Sequence, residues 1–227
     1  MQGRTDDSMY RLSDILDIEE ASAIPAGSSI LVSGPAMTGK DSFVLDILAD
    51  GTRKEEGVVV MSTDTDAEKL VEAIQSRDPD VPGHRIAAMD CRSESGREET
   101  ELDNGAFVHR VASPSDLTGI GIGVTKCFDR LHAAGIDRGR LALMSLSTMI
   151  TYSDKETVFK FCHVLSSRLD AAEFLGLFTI DSTAHDEQTL QVIKQAVDGL
   201  IELRERDGVR EARLGGLQPE PSDWVEL

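Results

Sequence analysis

The stretch Gly34-Pro-Ala-Met-Thr-Gly39-Lys40 limits what this chain can fold into more than any other. It fits G-x-x-x-x-G-K. It follows the short apolar run Ser29–Ser33 and opens a segment whose Phe43, Val44, Ile47 and Leu48 recur at helical spacing. Strand, glycine loop and helix form the context in which such a loop cradles phosphate. Glycines let the backbone wrap, successive N–H groups turn inward, and a helix N-terminus favours an anion. Two glycines and a lysine at this spacing arise by chance in roughly one chain in fifteen at average composition, so the flanking strand and helix are needed to make the case. The alternative is a tight strand-to-helix turn that holds no ligand. On the phosphate reading, Gly34, Pro35, Ala36, Met37, Thr38, Gly39, Lys40, Asp41 and Ser42 are the candidate binding residues, with Lys40 reaching the outer phosphates.

The loop departs from its pattern at once. The residue after the lysine should be Ser or Thr, whose hydroxyl binds Mg²⁺. Here it is Asp41. At ~5 Å and an effective dielectric of ~20, a like charge beside the phosphates costs about 3 kcal/mol. Three arrangements stay open: a carboxylate that repels phosphate, a carboxylate that coordinates a metal directly, or one that turns away and leaves Ser42 nearby.

Further apolar runs alternate with helical patterns. Gly57–Ser62, Arg85–Asp90, Arg140–Ser145 and Gly176–Asp181 read as strands. Residues 67–77, 115–134, 155–170 and 187–196 read as helices, with Asp66, Asp116 and Asp186 placed to cap them. Gly199–Leu203 and Val209–Leu217 alternate around Asp207-Gly208, which predicts a hairpin. The expectation is an α/β fold with a mostly parallel sheet, helices on both faces and a C-terminal antiparallel hairpin. The boundaries expected are a polar tail over 1–11, the folded unit over 12–217 and a second tail over 218–227. Residues 92–105 are charged and read as an exposed loop, with its acidic part, Glu94–Asp103, a surface on which a partner can dock. Gly119-Ile-Gly-Ile-Gly123 falls inside a helical stretch and marks close helix packing rather than a second cradle.

Composition excludes several classes. Forty-one acids against 23 bases give a net charge of −18, and only seven of the bases are lysine. That balance disfavours nucleic-acid binding, which rests on clustered Lys and Arg. It fits a chain adapted to high salt, where screening relieves carboxylate repulsion. A thermal midpoint that rises with KCl is then expected. No apolar run reaches the ~18 residues that cross a bilayer, and the N-terminus lacks a secretory h-region. Cys91, Cys127 and Cys162 form no Cys-x-x-Cys pair, which argues against a disulfide framework or a zinc site and fits a cytoplasmic protein. Ser33, Ser145 and Ser147 lack a nucleophile-elbow pattern, so no hydrolase triad is expected. His84, His109, His132 and His163 show no metal spacing, and His185-Asp186 reads first as a helix cap. Trp224, the single tryptophan, either tucks onto the fold or anchors a partner.

With these segments in order, the chain resembles the KaiC-like branch of the RecA/RadA superfamily of P-loop ATPases, and within it the KaiC-like proteins of archaea. The resemblance spans about residues 12–217. Leu12-Ser-Asp-Ile-Leu16 and Ile24-Pro-Ala-Gly27-Ser-Ser-Ile-Leu31 resemble the lead-in to the family's first core strand. Arg140-Leu-Ala-Leu-Met-Ser-Leu-Ser147 with Tyr152-Ser-Asp154 resembles its Walker B strand and the segment after that strand. His185-Asp186-Glu187 and Asp198-Gly199-Leu-Ile-Glu-Leu203 resemble its last helix and strand pair. Together with the charge, the resemblance points to a salt-loving archaeon.

The resemblance implies ATP and Mg²⁺ as cofactors, and the chain departs from the family at each group the chemistry needs. Asp41 stands for the metal-binding hydroxyl. Met144 stands for the Walker B acid, and a thioether has no use for Mg²⁺. The base that activates water falls on Thr63 or Asp64. The basic pair that a neighbouring subunit supplies maps to Arg213 and Gly215. The expectation is therefore a regulatory or scaffold protein with degenerate Walker motifs. It would bind ATP weakly or not at all, hydrolyse it poorly, and act through a protein partner or self-association. An ATPase with a rebuilt metal site, using Lys40, Asp41 as metal ligand and Asp64 as base, is the alternative. A recombination-type DNA-binding ATPase is a third reading, which the charge opposes.

Overall fold

The structure is a computed structural model and describes residues 9–92 and 98–227. Residues 1–8 of the expected tail and 94–97 of the expected acidic loop lie outside the described residues.

The strands are β1 (Met9–Tyr10), β2 (Ile24–Pro25), β3 (Ser29–Gly34), β4 (Gly57–Ser62), β5 (Ile86–Asp90), β6 (Glu98–Glu101), β7 (Phe107–Arg110), β8 (Gly139–Met144), β9 (Leu175–Asp181), β10 (Gly199–Arg206), β11 (Val209–Gly215) and β12 (Val225–Glu226). The helices are α1 (Lys40–Arg53), α2 (Ala67–Arg77), α3 (Leu117–Ala133), α4 (Leu146–Tyr152), α5 (Lys155–Ala172) and α6 (Glu187–Lys194). Ten strands form one sheet in the order β12-β11-β10-β3-β9-β8-β4-β5-β7-β6, and β1 pairs with β2 apart from it. From β10 to β7 every neighbouring pair is parallel, while β11, β12 and β6 add antiparallel edges.

Successive residues of a strand face opposite sides, so each inner strand feeds two cores. Ile30, Val32, Val58 and Val60 pack with Val44, Ile47 and Leu48 of α1 and Leu70 and Ile74 of α2. Leu31, Val59 and Met61 pack on the other side with Val124 and Cys127 of α3 and Cys162, Leu165 and Leu169 of α5. The aspartate-rich composition serves the helix starts. Asp66, Asp116, Asp154 and Asp186 each accept a backbone N–H in the first turn of α2, α3, α5 and α6. Asp207 and Gly208 both take positive φ between Arg206 and Val209, the two-residue turn expected of the β10–β11 hairpin. A Cβ on Gly123 would collide with Met89 and His109, so α3 presses this glycine against the sheet, while Gly119 lies against Asp116 at the helix start.

The ends of the chain differ from the sequence expectation. Tyr10, read as part of a polar tail, is fully buried in β1, and its hydroxyl meets Gly139 O at 2.7 Å and Glu173 O at 2.8 Å. Trp224 lies in the segment read as a C-terminal tail, yet it packs on Arg204 and Arg213, whose guanidinium carbons stand 3.8 and 4.7 Å from its ring centroid. The adjoining β12 extends the sheet edge along β11. Residues 98–101 form a strand rather than loop. No described helix is long and apolar enough to cross a membrane.

Candidate functional site

The glycine loop runs from the C-terminal end of β3 to the N-terminus of α1, the end of an open parallel sheet where ligands gather. Gly39, the residue before α1, is left-handed at φ 79°, and Met37 at φ 64° stands almost wholly exposed at the loop tip. The Pro35 carbonyl holds the loop's shape. It accepts from Thr38 Oγ1 at 2.9 Å and from Lys40 Nζ at 2.6 Å. Lys40 therefore folds back over its own loop. Partial burial lowers its ammonium pKa, while Asp181 and Asp41 pull the other way.

Three acids act on this end of the sheet, Asp64 through Asp41, and Asp41 and Asp181 through Lys40. Asp41, in the first turn of α1, is raised above the ordinary carboxylate range, by desolvation first and by the charge of Asp64 second, with Lys40 opposing. Asp41 is exposed, so water tempers the desolvation, and the charge of Asp64 acts on it through that water. Asp64 follows β4 and accepts from Ser62 Oγ at 2.8 Å and Thr65 Oγ1 at 3.0 Å. Asp181, which reads in the sequence only as a strand end, pairs in register with Gly34 across β9 and β3. Burial pushes the Asp181 carboxyl up, but bonds from the Thr183 hydroxyl and N–H, together with Lys40, hold it below the usual value. Its place beside Gly34 is visible only once the strand order is known.

The two candidates for the water-activating position separate clearly. Thr63 is buried, and its hydroxyl accepts the Ser145 N–H at 3.1 Å. Asp64 is exposed and faces Asp41 electrostatically. Met144 ends β8 and lies in the apolar core on the α1 side. The structure does not bring Ser42 to the loop interior. Its hydroxyl accepts from Arg77 at 2.9 Å on the α2 side.

The family-type basic position is occupied otherwise. Arg213 donates to Glu202 at 2.6 Å and carries Trp224, so it is tied into its own hairpin. Ser147 and His185, between which the sequence predicts no partnership, stand 2.9 Å apart, while Ser147 Oγ also accepts the Asp181 N–H at 2.9 Å. This contact braces the end of β9. Asp186 caps α6 as expected.

The donor set fits phosphate better than Mg²⁺. The loop offers glycine backbone, Lys40 and the start of a 14-residue helix. For the metal it offers a repelled carboxylate and a thioether, and among the described residues no three His, Cys, Asp or Glu side chains gather to hold an ion. The residues do not fit Mg²⁺, and no chemical step is derived through it. A surface cleft of about 650 Å³ opens at the opposite end of the strands, beside Gly27, Ser28, Asp170 and Asp198, away from the loop.

Comparison with known proteins agrees with this architecture. A model of DUF7504, described as a family of unknown function, matches residues 27–203. No curated protein matches the chain. Among solved structures, the KaiC-like protein PH0186 from the hyperthermophilic archaeon Pyrococcus horikoshii OT3 is similar at a TM-score of 0.58 and 13% identity, over 93% of this chain and 86% of that one. The α/β fold is thus RecA-like, a mostly parallel central sheet flanked by helices with a C-terminal antiparallel hairpin.

Proposed function

The chain belongs to the DUF7504 family of unknown function, and from that premise we propose that it is a RecA-like regulatory or scaffold protein whose 34–42 loop takes up the phosphates of ATP with little or no hydrolysis. The observation that carries this reading is Met144. It occupies the strand end where the fold's metal-holding acid is expected, and it is packed in the core. Phosphoryl transfer depends almost wholly on positioning and charge neutralisation. A site with a thioether there lacks the charge neutralisation that turnover needs, while the glycine backbone, Lys40 and the start of α1 remain for phosphate. The output then passes through protein contacts, with a partner or a second copy, in a cytoplasmic and salt-rich setting.

The test is ATP turnover with Mg²⁺ by wild type and Lys40→Ala. Equal, background-level rates are expected. Turnover that depends on Lys40 would overturn the reading.

One observation favours a second reading. A carboxyl whose pKa is raised by a neighbouring carboxylate is a candidate acid or base. On that reading Asp41 and Asp64 rebuild the site. Turnover lost in both Asp41→Asn and Asp64→Asn would support it.

A further inference from the structure

We propose that Arg210 supplies a second positive charge to the phosphate held at the loop, from the same chain. This inference rests on the loop being a phosphate site and adds a residue to it. A Cβ built on Gly39 would lie 2.7 Å from Arg210 Nη1. The guanidinium thus fills the place where Gly39 lacks a side chain, next to Lys40 and the first N–H groups of α1.

The hairpin's alternation explains why this arginine and not its neighbours arrives there. On β11, Arg210 shares a face with Ala212 and Leu214, which belong to the core on the α1 side. Glu211 and Arg213 occupy the other face. There Arg213 pairs with Glu202, Glu211 accepts from Arg204, and both arginines carry Trp224. Among the described residues no carboxylate pairs with the Arg210 guanidinium. The backbone beneath it is held, because Arg210 O accepts the Leu227 N–H at 2.9 Å and β12 pairs with β11 at Glu211 and Ala212. The C-terminal segment that sequesters Arg213 also fastens the strand that presents Arg210. A planar guanidinium suits a bidentate contact with phosphate oxygens. The structure therefore assigns the second basic contact to the chain's own hairpin.

Titration calorimetry with ATP, on wild type, Lys40→Ala, Arg210→Ala, Arg210→Lys and Arg213→Ala, tests this. Charge-assisted contacts set the scale, so Arg210→Ala is expected to weaken binding about tenfold or more. Arg210→Lys should recover part of that loss, and Arg213→Ala should stay within about twofold of wild type. The wild-type affinity should not change on tenfold dilution of the protein. An equimolar mixture of Lys40→Ala and Arg210→Ala should bind no better than Arg210→Ala diluted to the same concentration. Wild-type affinity in Arg210→Ala, with binding abolished in Lys40→Ala, would overturn the inference and leave the loop reading intact. Tighter binding in Arg210→Ala would show a plug instead of a ligand and overturn it as well. Restored binding in the mixture would move the arginine to a neighbouring chain and overturn the same-chain assignment. Absence of ATP binding in wild type would remove both readings together.

Discussion

The two ends of α1 treat charge in opposite ways. At its C-terminal end, Arg140 of β8 is fully buried and donates to Glu56 at 2.5 Å, Asp50 at 2.9 Å and the Ile47 carbonyl at 2.6 Å. Asp50 and Glu56 are nearly as buried, and Lys54 at 2.8 Å from Asp50 and Arg138 at 3.6 Å from Glu56 complete the cluster, so three cations answer two acids. At the N-terminal end, the charge of Asp64 helps to raise the Asp41 carboxyl, Asp181 adds a third acid, and Lys40 donates to the Pro35 carbonyl. A closed ion cluster anchors the tail of α1, and the charges at its head stay open. Buried charges are kept where they are neutralised, whereas Asp41 and Asp64 at the open end stay in contact with water and oppose an anionic ligand.

Breaking the closed cluster should have the largest effect. Arg140→Ala removes the cluster's fully buried cation and leaves Asp50 and Glu56 only the partly exposed Lys54 and Arg138, and a loss of about 3 kcal/mol in denaturant unfolding is expected. A loss below about 1 kcal/mol would mean that the cluster does not hold the helix end. Replacing Arg140, Asp50 and Glu56 together by apolar residues should cost far less than the single change, because no buried charge is then left unpaired.

The open cluster gives the converse result. Asp41→Asn should raise ATP affinity about tenfold, a solvent-screened share of the Coulomb cost of a like charge near phosphate. It should also stabilise the fold. The native Asp41 pKa is raised, so the folded state holds that proton longer than the unfolded chain does. Stability is therefore lost as pH rises from the ordinary carboxylate range through the native pKa. The variant should melt above wild type at pH 8, and the two should converge at and below about pH 4, where the unfolded carboxyl is itself protonated. A variant that melts lower at pH 8 would show that Asp41 is stabilised, with an unrecognised partner.

A smaller effect should come from the β10–β11 hairpin, which reaches only the N-terminal end of α1. Trp224→Ala removes the ring on which Arg204 and Arg213 stack, and a loss of about 1–2 kcal/mol is expected from cation–π contact and packing. The same change should free β12 and weaken ATP binding by loosening Arg210. Hydrogen exchange at Leu227, whose N–H bonds to Arg210 O, reports this directly.

The strand-to-helix pattern is legible in the sequence because it is local. Gly57–Ser62 and Gly176–Asp181 are short apolar runs, and the Asp207-Gly208 turn names its own geometry. The features that stay hidden depend on distant partners. Tyr10 is one aromatic in a polar stretch and becomes core through Gly139, far along the chain. Arg140 looks like the polar start of a strand, and its acids lie 84 and 90 residues away. The seven residues of α4 carry too few turns to display a period, and β12 has two residues. At the site, Lys40 and Asp41 are visible from the loop pattern. Asp181 and Arg210 reach it only through sheet order and hairpin pleat, which no window along the sequence displays.

The central claim is that the open end binds phosphate without needing a metal. It is tested most directly by titrating ATP into the protein in molar KCl, with and without Mg²⁺, for wild type and Lys40→Ala. Saturable binding that is lost in Lys40→Ala and unchanged by Mg²⁺ is the expected result. Binding that appears only with Mg²⁺, or that survives in Lys40→Ala, would contradict the account.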